Sequence, residues 1–252
     1  MTPDSNSEPI YKVDLYKCPL CGALKVLHSS YGYNISGVVR WSDSKKHYPQ
    51  IQKPSYVQHC SSCGRYFFIE EETLHKTDIY SSLDVSWGNL SYHSLREAFK
   101  QLSPSGRNER QIRLMLLHAH NDLYGGCEGA KPRAEASIEE QQFFEENVRA
   151  LISMANIKDP YDRLLIAELY REIGEFGEAV RLLREPFDYN LYIGLDAIRK
   201  QMLELAEQYD SDVFVVDGDK NHKRKAVLID DKDYLYNEAF EKNYIDKDYL
   251  PF

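Results

Sequence analysis

Four cysteines stand in two Cys-x-x-Cys-Gly units, Cys18-Pro19-Leu20-Cys21-Gly22 and Cys60-Ser61-Ser62-Cys63-Gly64. In each unit two sulfurs converge on one ion, and the glycine permits the tight backbone path that brings them together. Two such turns complete a tetrahedral set of thiolates, so Cys18, Cys21, Cys60 and Cys63 are expected to bind one structural Zn2+. Four sulfurs close the coordination shell. An ion held in this way has no position for water and stabilises a small domain rather than acting as a Lewis acid.

Other strings compete with this one for a chemical role. A Cys-x-x-Cys pair can exchange disulfides, but neither pair sits in the βαβ pattern of a thioredoxin-like fold. His59 adjoins Cys60, and a full set of sulfurs leaves it a surface or supporting role. Cys127 stands alone in a Gly-rich turn with no matching histidine context for a nucleophile. The run His118-Ala119-His120-Asn121-Asp122 is similar to the His-x-His-x-Asp-His ligand run of metallo-β-lactamase-type hydrolases, but Leu123 takes the place of the last histidine. On a helix His118 and His120 point about 160° apart, and only His118 and Asp122 share a face. They are therefore expected to flank an amphipathic helix. The segment from Asp217 to Asn221 resembles the opening of a calcium loop, yet His222 and Leu228 stand where glycine and a bidentate glutamate are needed, so a turn is expected. The chain has no Gly-rich phosphate loop or Gly-x-Ser-x-Gly turn.

The elements that must position these residues follow from periodicity. Around the cysteines, 11–15, 37–41 and 66–69 are β-prone. Beyond Asn89 the period becomes helical, with a domain boundary expected near 85–93. Ile112, Met115, Leu116, Ala119 and Leu123 form one stripe, and Phe144, Val148, Leu151, Ile152 and Ala155 form another, with Ser137 and Glu140 as a capping box. A helical hairpin is expected around Gly174, between the stripe of Ile166, Leu169, Tyr170 and Ile173 and that of Phe176, Ala179, Val180 and Leu183. One more helix carries Leu195, Ile198, Met202 and Leu205. The runs 213–216 and 226–229 suggest a β-hairpin, and 231–252 a docked arm or tail.

The chain has 252 residues, 42% of them hydrophobic, which suffices for one large domain or two modest ones. Residues 1–92 carry nine basic and nine acidic residues, so the whole net charge of −9 lies in residues 93–252. That acidity makes the C-terminal part a poor surface for phosphate backbones. No apolar run approaches the roughly 18 residues that span a bilayer, and the start lacks the features of a signal peptide. A cytoplasmic location with no membrane association is the expectation.

Two resemblances extend this reading. Ala167, Tyr170, Gly174 and Ala179 match the small, aromatic, turn and small positions of a tetratricopeptide repeat over about one repeat, which implies a scaffold that presents a groove to a partner. Arg40, Trp41, Ser42, Asp43 and Lys45, then Pro49 and Pro54 between the two cysteine turns, and Tyr66-Phe67-Phe68 after them, resemble a zinc ribbon of uncharacterised bacterial proteins that often carry tetratricopeptide-like helices afterwards. Ser44 is the main departure, standing where glycine is expected.

The expected fold is α+β, with a small zinc-ribbon β unit at 10–85, a mainly helical tetratricopeptide-like domain at 93–210, and a β-hairpin and tail at 211–252. The leading function is that of a non-enzymatic adaptor that binds another protein, with Tyr31, Tyr33, Trp41, Tyr48 and Tyr56 as contact area. Nucleic-acid binding through Arg40, Lys45 and Lys46 is the alternative, and metal-dependent hydrolysis at His118 and Asp122 a third reading.

Overall fold

The computed structural model describes residues 12–29, 39–47, 55–69, 74–76, 90–125, 130–186 and 195–217. Within them the chain is α+β and mostly helical. The strands, in chain order, are β1 (Lys12–Lys17), β2 (Leu24–Ser29), β3 (Val39–Trp41), β4 (Lys46–His47), β5 (Val57–His59), β6 (Tyr66–Phe68), β7 (Leu74–Lys76) and β8 (Val215–Asp217). The helices are α1 (Tyr92–Leu102), α2 (Gly106–Tyr124), α3 (Ile138–Met154), α4 (Pro160–Glu172), α5 (Phe176–Arg184) and α6 (Leu195–Glu207).

Two compact units emerge, and they do not follow the linear order of the chain. The first contains β1, β2, β5, β6, β7 and α1; the second contains β3, β4, β8 and α2 to α6. The expected boundary near 85–93 does coincide with a helix start, since Ser91 caps α1 by accepting a hydrogen bond from the Ser94 amide. Yet α1 groups with the strands of the first unit, where it packs on β6. Residues 38–47, which lie between the two cysteine turns, group with the helices.

In the first unit β1 is the centre of an antiparallel sheet in the order β2-β1-β7, and β5 pairs with β6 as a separate ribbon. Val57 and Phe67 are buried along that ribbon, and Leu95 and Ala98 are buried on α1.

In the second unit α3 begins with the expected capping box: Ser137 accepts from the Glu140 amide, and the Glu140 carboxylate accepts from the Ser137 amide. Asp159 caps α4, with Pro160 at the first helical position, where its missing N–H costs nothing. Gly174, at φ 77°, turns the chain from α4 into α5 and completes the expected hairpin. Ala167 and Ala179, both buried, contribute little bulk to the two helices. One apolar cluster joins Leu164, Ala167, Leu182, Leu183, Leu195 and Met202, and another joins Leu114, Leu117, Phe144, Val148, Leu165 and Leu169. Each leucine buried there stabilises the unit by roughly 1.5–3 kcal/mol.

Where 213–216 was expected to start a hairpin, β8 instead pairs antiparallel with β3, giving the sheet order β4-β3-β8. The second run, 226–229, and the segment 231–252 lie outside the described residues, as does Cys127.

Candidate metal centre and a buried polar network

The two cysteine turns are built alike. After β1, the Cys18 amide donates to the Ala23 carbonyl and the Gly22 amide to the Cys18 carbonyl, at 2.8 and 2.9 Å. After β5, the Cys60 amide donates to the Arg65 carbonyl and the Gly64 amide to the Cys60 carbonyl, both at 2.8 Å. Gly22 and Gly64 have φ of 76° and 67°, so both turns need the left-handed backbone that glycine adopts without strain.

These turns bring the four sulfurs within 4.8 Å of one another. Cys18 Sγ lies 3.9 Å from Cys63 Sγ, and Cys21 Sγ lies 3.6 Å from Cys60 Sγ. A disulfide would need about 2.05 Å. Four thiolates at about 2.3 Å around a tetrahedral centre would lie about 3.8 Å apart, so the donor set fits a metal ion. Cys18, Cys60 and Phe67 form a small buried cluster, which shields one side of the centre.

The local electrostatics distribute protons unequally over the thiols. Burial opposes ionisation of Cys60, but hydrogen bonds from the Cys63 and Ser62 amides outweigh it and bring that thiol down to about 6. The Ala23 amide favours the Cys21 thiolate, yet desolvation and hydrogen bonding among the sulfurs push Cys21 up to about 12. A bound cation replaces those shared protons, so acid opposes its binding. His59 is exposed and packs against Tyr66 with the two rings tilted by 50° and their centroids 4.9 Å apart, and it is not one of the four clustered ligand side chains.

His118, His120, Asn121 and Asp122 are all buried on α2 rather than lying at the edge of an amphipathic helix. For His118, Asn121 and Asp122 the reason is a covering segment that arrives from far upstream. Residues 41–45 form a tight turn in which the Trp41 amide donates to the Lys45 carbonyl and the Ser44 amide to the Trp41 carbonyl. Ser44 sits at φ 69°, the left-handed conformation that explains why glycine was expected there. This turn seats on α2. His118 Nε2 donates to the Asp43 carbonyl at 3.0 Å, since a carbonyl can only accept, and Asn121 Nδ2 donates to Asp43 Oδ2 at 3.1 Å. Lys45 Nζ bonds to Asp122 Oδ1 at 2.6 Å. The Ser42 amide donates to the Phe214 carbonyl, and the Phe214 amide donates to Ser42 Oγ.

Around this turn the network continues into the helices. Asn121 Nδ2 also donates to Glu172 Oε2 at 2.9 Å, and Arg133 Nη2 donates to Asn121 Oδ1 at 3.2 Å. Arg171 forms two hydrogen bonds with Glu168 and donates to the Asp210 and Asp212 carbonyls, which ties α4 to the approach of β8. Desolvation raises the Glu172 carboxyl to about 8; Arg133 opposes the shift, while Glu168 and Asp43 add to it. His120 faces away, stacked on Phe144 with ring centroids 3.9 Å apart, and burial with Arg133 nearby lowers it to about 3.

Sequence reasoning had placed His118 and Asp122 on one face and His120 on another, and the structure agrees. It did not foresee that Asp43 and Lys45 meet that face. Among the described residues, the four cysteines are the one group of three or more metal-ligating side chains close enough to share an ion. Trp41 and Tyr56 are buried, whereas Tyr31, Tyr33 and Tyr48 lie outside the described residues. Among the described residues no helix is long and apolar enough to cross a membrane. Compared with protein-family models, curated proteins and solved structures, the chain matches none.

Proposed function

We propose that the chain is a non-enzymatic cytoplasmic adaptor, a zinc ribbon joined to tetratricopeptide-like helices, that binds another protein. The observation that carries this reading is the exposure of Leu20 and Leu24, at 62% and 63%, on and just after the first cysteine turn. Large apolar side chains held outward by a rigid metal-bound turn offer a partner a desolvated anchor. Zinc suits the all-thiolate set and leaves the ion without an open position, so the ion supports shape and not turnover. Four ligands that act as thiolates also suit a reducing compartment.

Two competing readings are disfavoured by the same geometry. Lys45, a basic residue expected to meet phosphate, is held by Asp122 inside the second unit. Burial and the adjacent Arg40 lower Lys46 to about 7, which weakens its charge at neutral pH. His118 and Asp122 are both buried, and both engage residues 43–45.

The reading is tested by affinity capture with the intact chain, a Leu20→Ser/Leu24→Ser variant and a Cys60→Ser variant, with zinc content measured for each. The serine pair is expected to keep one zinc per chain and lose the captured partner, and Cys60→Ser to lose both. Capture that is unchanged in the Leu20→Ser/Leu24→Ser variant would overturn it.

A further inference from the structure

We propose that Glu172 is a proton-operated switch that holds or releases the Trp41–Lys45 turn within the second unit. With a proton on its carboxyl, Glu172 shares the Asn121 amide with the Asp43 carboxylate and the turn stays on α2. Loss of that proton to solvent sets two negative charges against one amide and favours release, which uncovers His118, Asn121 and Asp122.

The geometry of Asn121 makes the two carboxyls neighbours. Arg133 Nη2 donates to Asn121 Oδ1, which fixes the amide so that its nitrogen faces the acids. That nitrogen donates to Glu172 Oε2 at 2.9 Å on one side and to Asp43 Oδ2 at 3.1 Å on the other. Glu172 is buried, and among the described residues its Oε1 has no hydrogen-bond partner. An ionised carboxylate placed there would have one oxygen unsolvated, so the neutral form is the cheaper one to bury. Glu168 and Asp122 differ: Arg171 bonds both oxygens of the first and Lys45 both oxygens of the second.

The charged groups around Glu172 come from several elements. From α2 come Asp122 with its Lys45 partner, and His118, which donates to the Asp43 carbonyl. On α4 stand Glu168 and Arg171, with Asp210 3.7 Å from Arg171. The single helical turn at Arg133–Glu135 brings Arg133 to 3.7 Å from Glu172 Oε2. The strands flanking the turn carry Arg40, Lys46 and His47. Desolvation, opposed by Arg133 and reinforced by Glu168 and Asp43, raises the Glu172 carboxyl to about 8. When the turn leaves, Asp43 and part of the desolvation leave with it, so the open form gives up the proton at lower pH. Rising pH therefore favours release.

The Ser42 amide reports the seating directly, because its acceptor is the Phe214 carbonyl. Its hydrogen-exchange protection is measured on the full chain, corrected for the intrinsic rate at each pH. Glu172→Gln keeps an oxygen for the Asn121 amide and carries no charge at any pH. Lys46, lowered to about 7 by burial and Arg40, has the opposite sign. The quantity read is therefore the ratio of Ser42 protection in the original chain to that in Glu172→Gln. It is expected to fall about tenfold between about pH 6 and 9, the effect of one pKa unit between the seated and released forms. A purely structural role would change protection by one factor at every pH, so a constant ratio overturns the switch. Asp43→Asn keeps an acceptor for Asn121 and removes the second charge, so the same comparison made in an Asp43→Asn background is expected to flatten. A fall as large as in the original background overturns the proposal. If Glu172→Gln loses helical circular dichroism, the ratio of the original chain to Asp43→Asn decides: a fall with pH supports the switch and a constant ratio overturns it.

Discussion

At the tetracysteine centre every donor comes from two short turns of the same sequence pattern, whereas the polar network of the second unit draws on the turn after β3 and on α2, α4 and the approach to β8. The first is held by one ion-sized focus, so it stands or falls with its thiols. The second is distributed, with a buried ion pair at one end and a buried carboxyl at the other. Local chemistry repeated at a fixed spacing can be read directly from a sequence. Chemistry assembled across the chain is visible only when the fold has brought it together.

The comparison is broken most forcefully at Arg171. Arg171 and Glu168 are both fully buried, and Arg171→Met leaves the carboxylate without its partner and frees two carbonyls near β8. A loss of about 3–5 kcal/mol is expected in denaturant unfolding, with part of it recovered by adding Glu168→Gln. Zinc stoichiometry at saturating metal should remain one per chain.

A smaller effect, visible in pH dependence, belongs to Glu172. Its folded pKa of about 8 lies above the ordinary 4.5, so the folded chain holds the extra proton between those values and stability falls as pH rises through that window. His120 has the opposite sign: lowered from 6.5 to about 3, it makes stability rise with pH across that range. The two slopes offset each other where they overlap, and above pH 6.5 Lys46, lowered to about 7, and Cys60, lowered to about 6, oppose Glu172, so its contribution is read as the difference between the original chain and a Glu172 variant. Glu172→Gln is expected to remove a decline of about 2 kcal/mol between roughly pH 6.5 and 8, measured by urea unfolding at several pH values. An unchanged slope would show that the carboxyl titrates normally.

The smallest effect is at Ser44. Its left-handed backbone costs roughly 1–2 kcal/mol relative to a relaxed residue, part of which glycine forfeits through a more flexible unfolded chain. Ser44→Gly should therefore raise stability by at most about 1 kcal/mol, read as a small rise in the unfolding midpoint.

The two cysteine turns, the capping box at Ser137 and the hairpin around Gly174 were legible because each depends on neighbours within a few positions. The buried stripes of α2 to α6 were legible for the same reason. The network was not, since Asp43 meets His118 and Asn121 across 75 and 78 positions. One apolar stripe on α2 implied a second, wet face, but residues 41–45 cover that face, and its polar side chains became interior. Asp43 and Lys45 carried no periodic signal, and Lys45 read most simply as a cation for phosphate. The Ser44 position was the available clue: a demand for glycine implies a fixed turn, and a fixed turn must be held by something.

The hydrogen bonds between Ser42 and Phe214 span 172 positions. A ribosome adding about 5–20 residues per second separates their synthesis by roughly 10–30 s. Both cysteine turns therefore emerge well before β8, which joins β3 in the helical unit, exists. The turn at Asp43 leaves the ribosome early and takes its final place only once β8 has been made. Birth order and folding order are thus reversed for the middle of the insert relative to its ends.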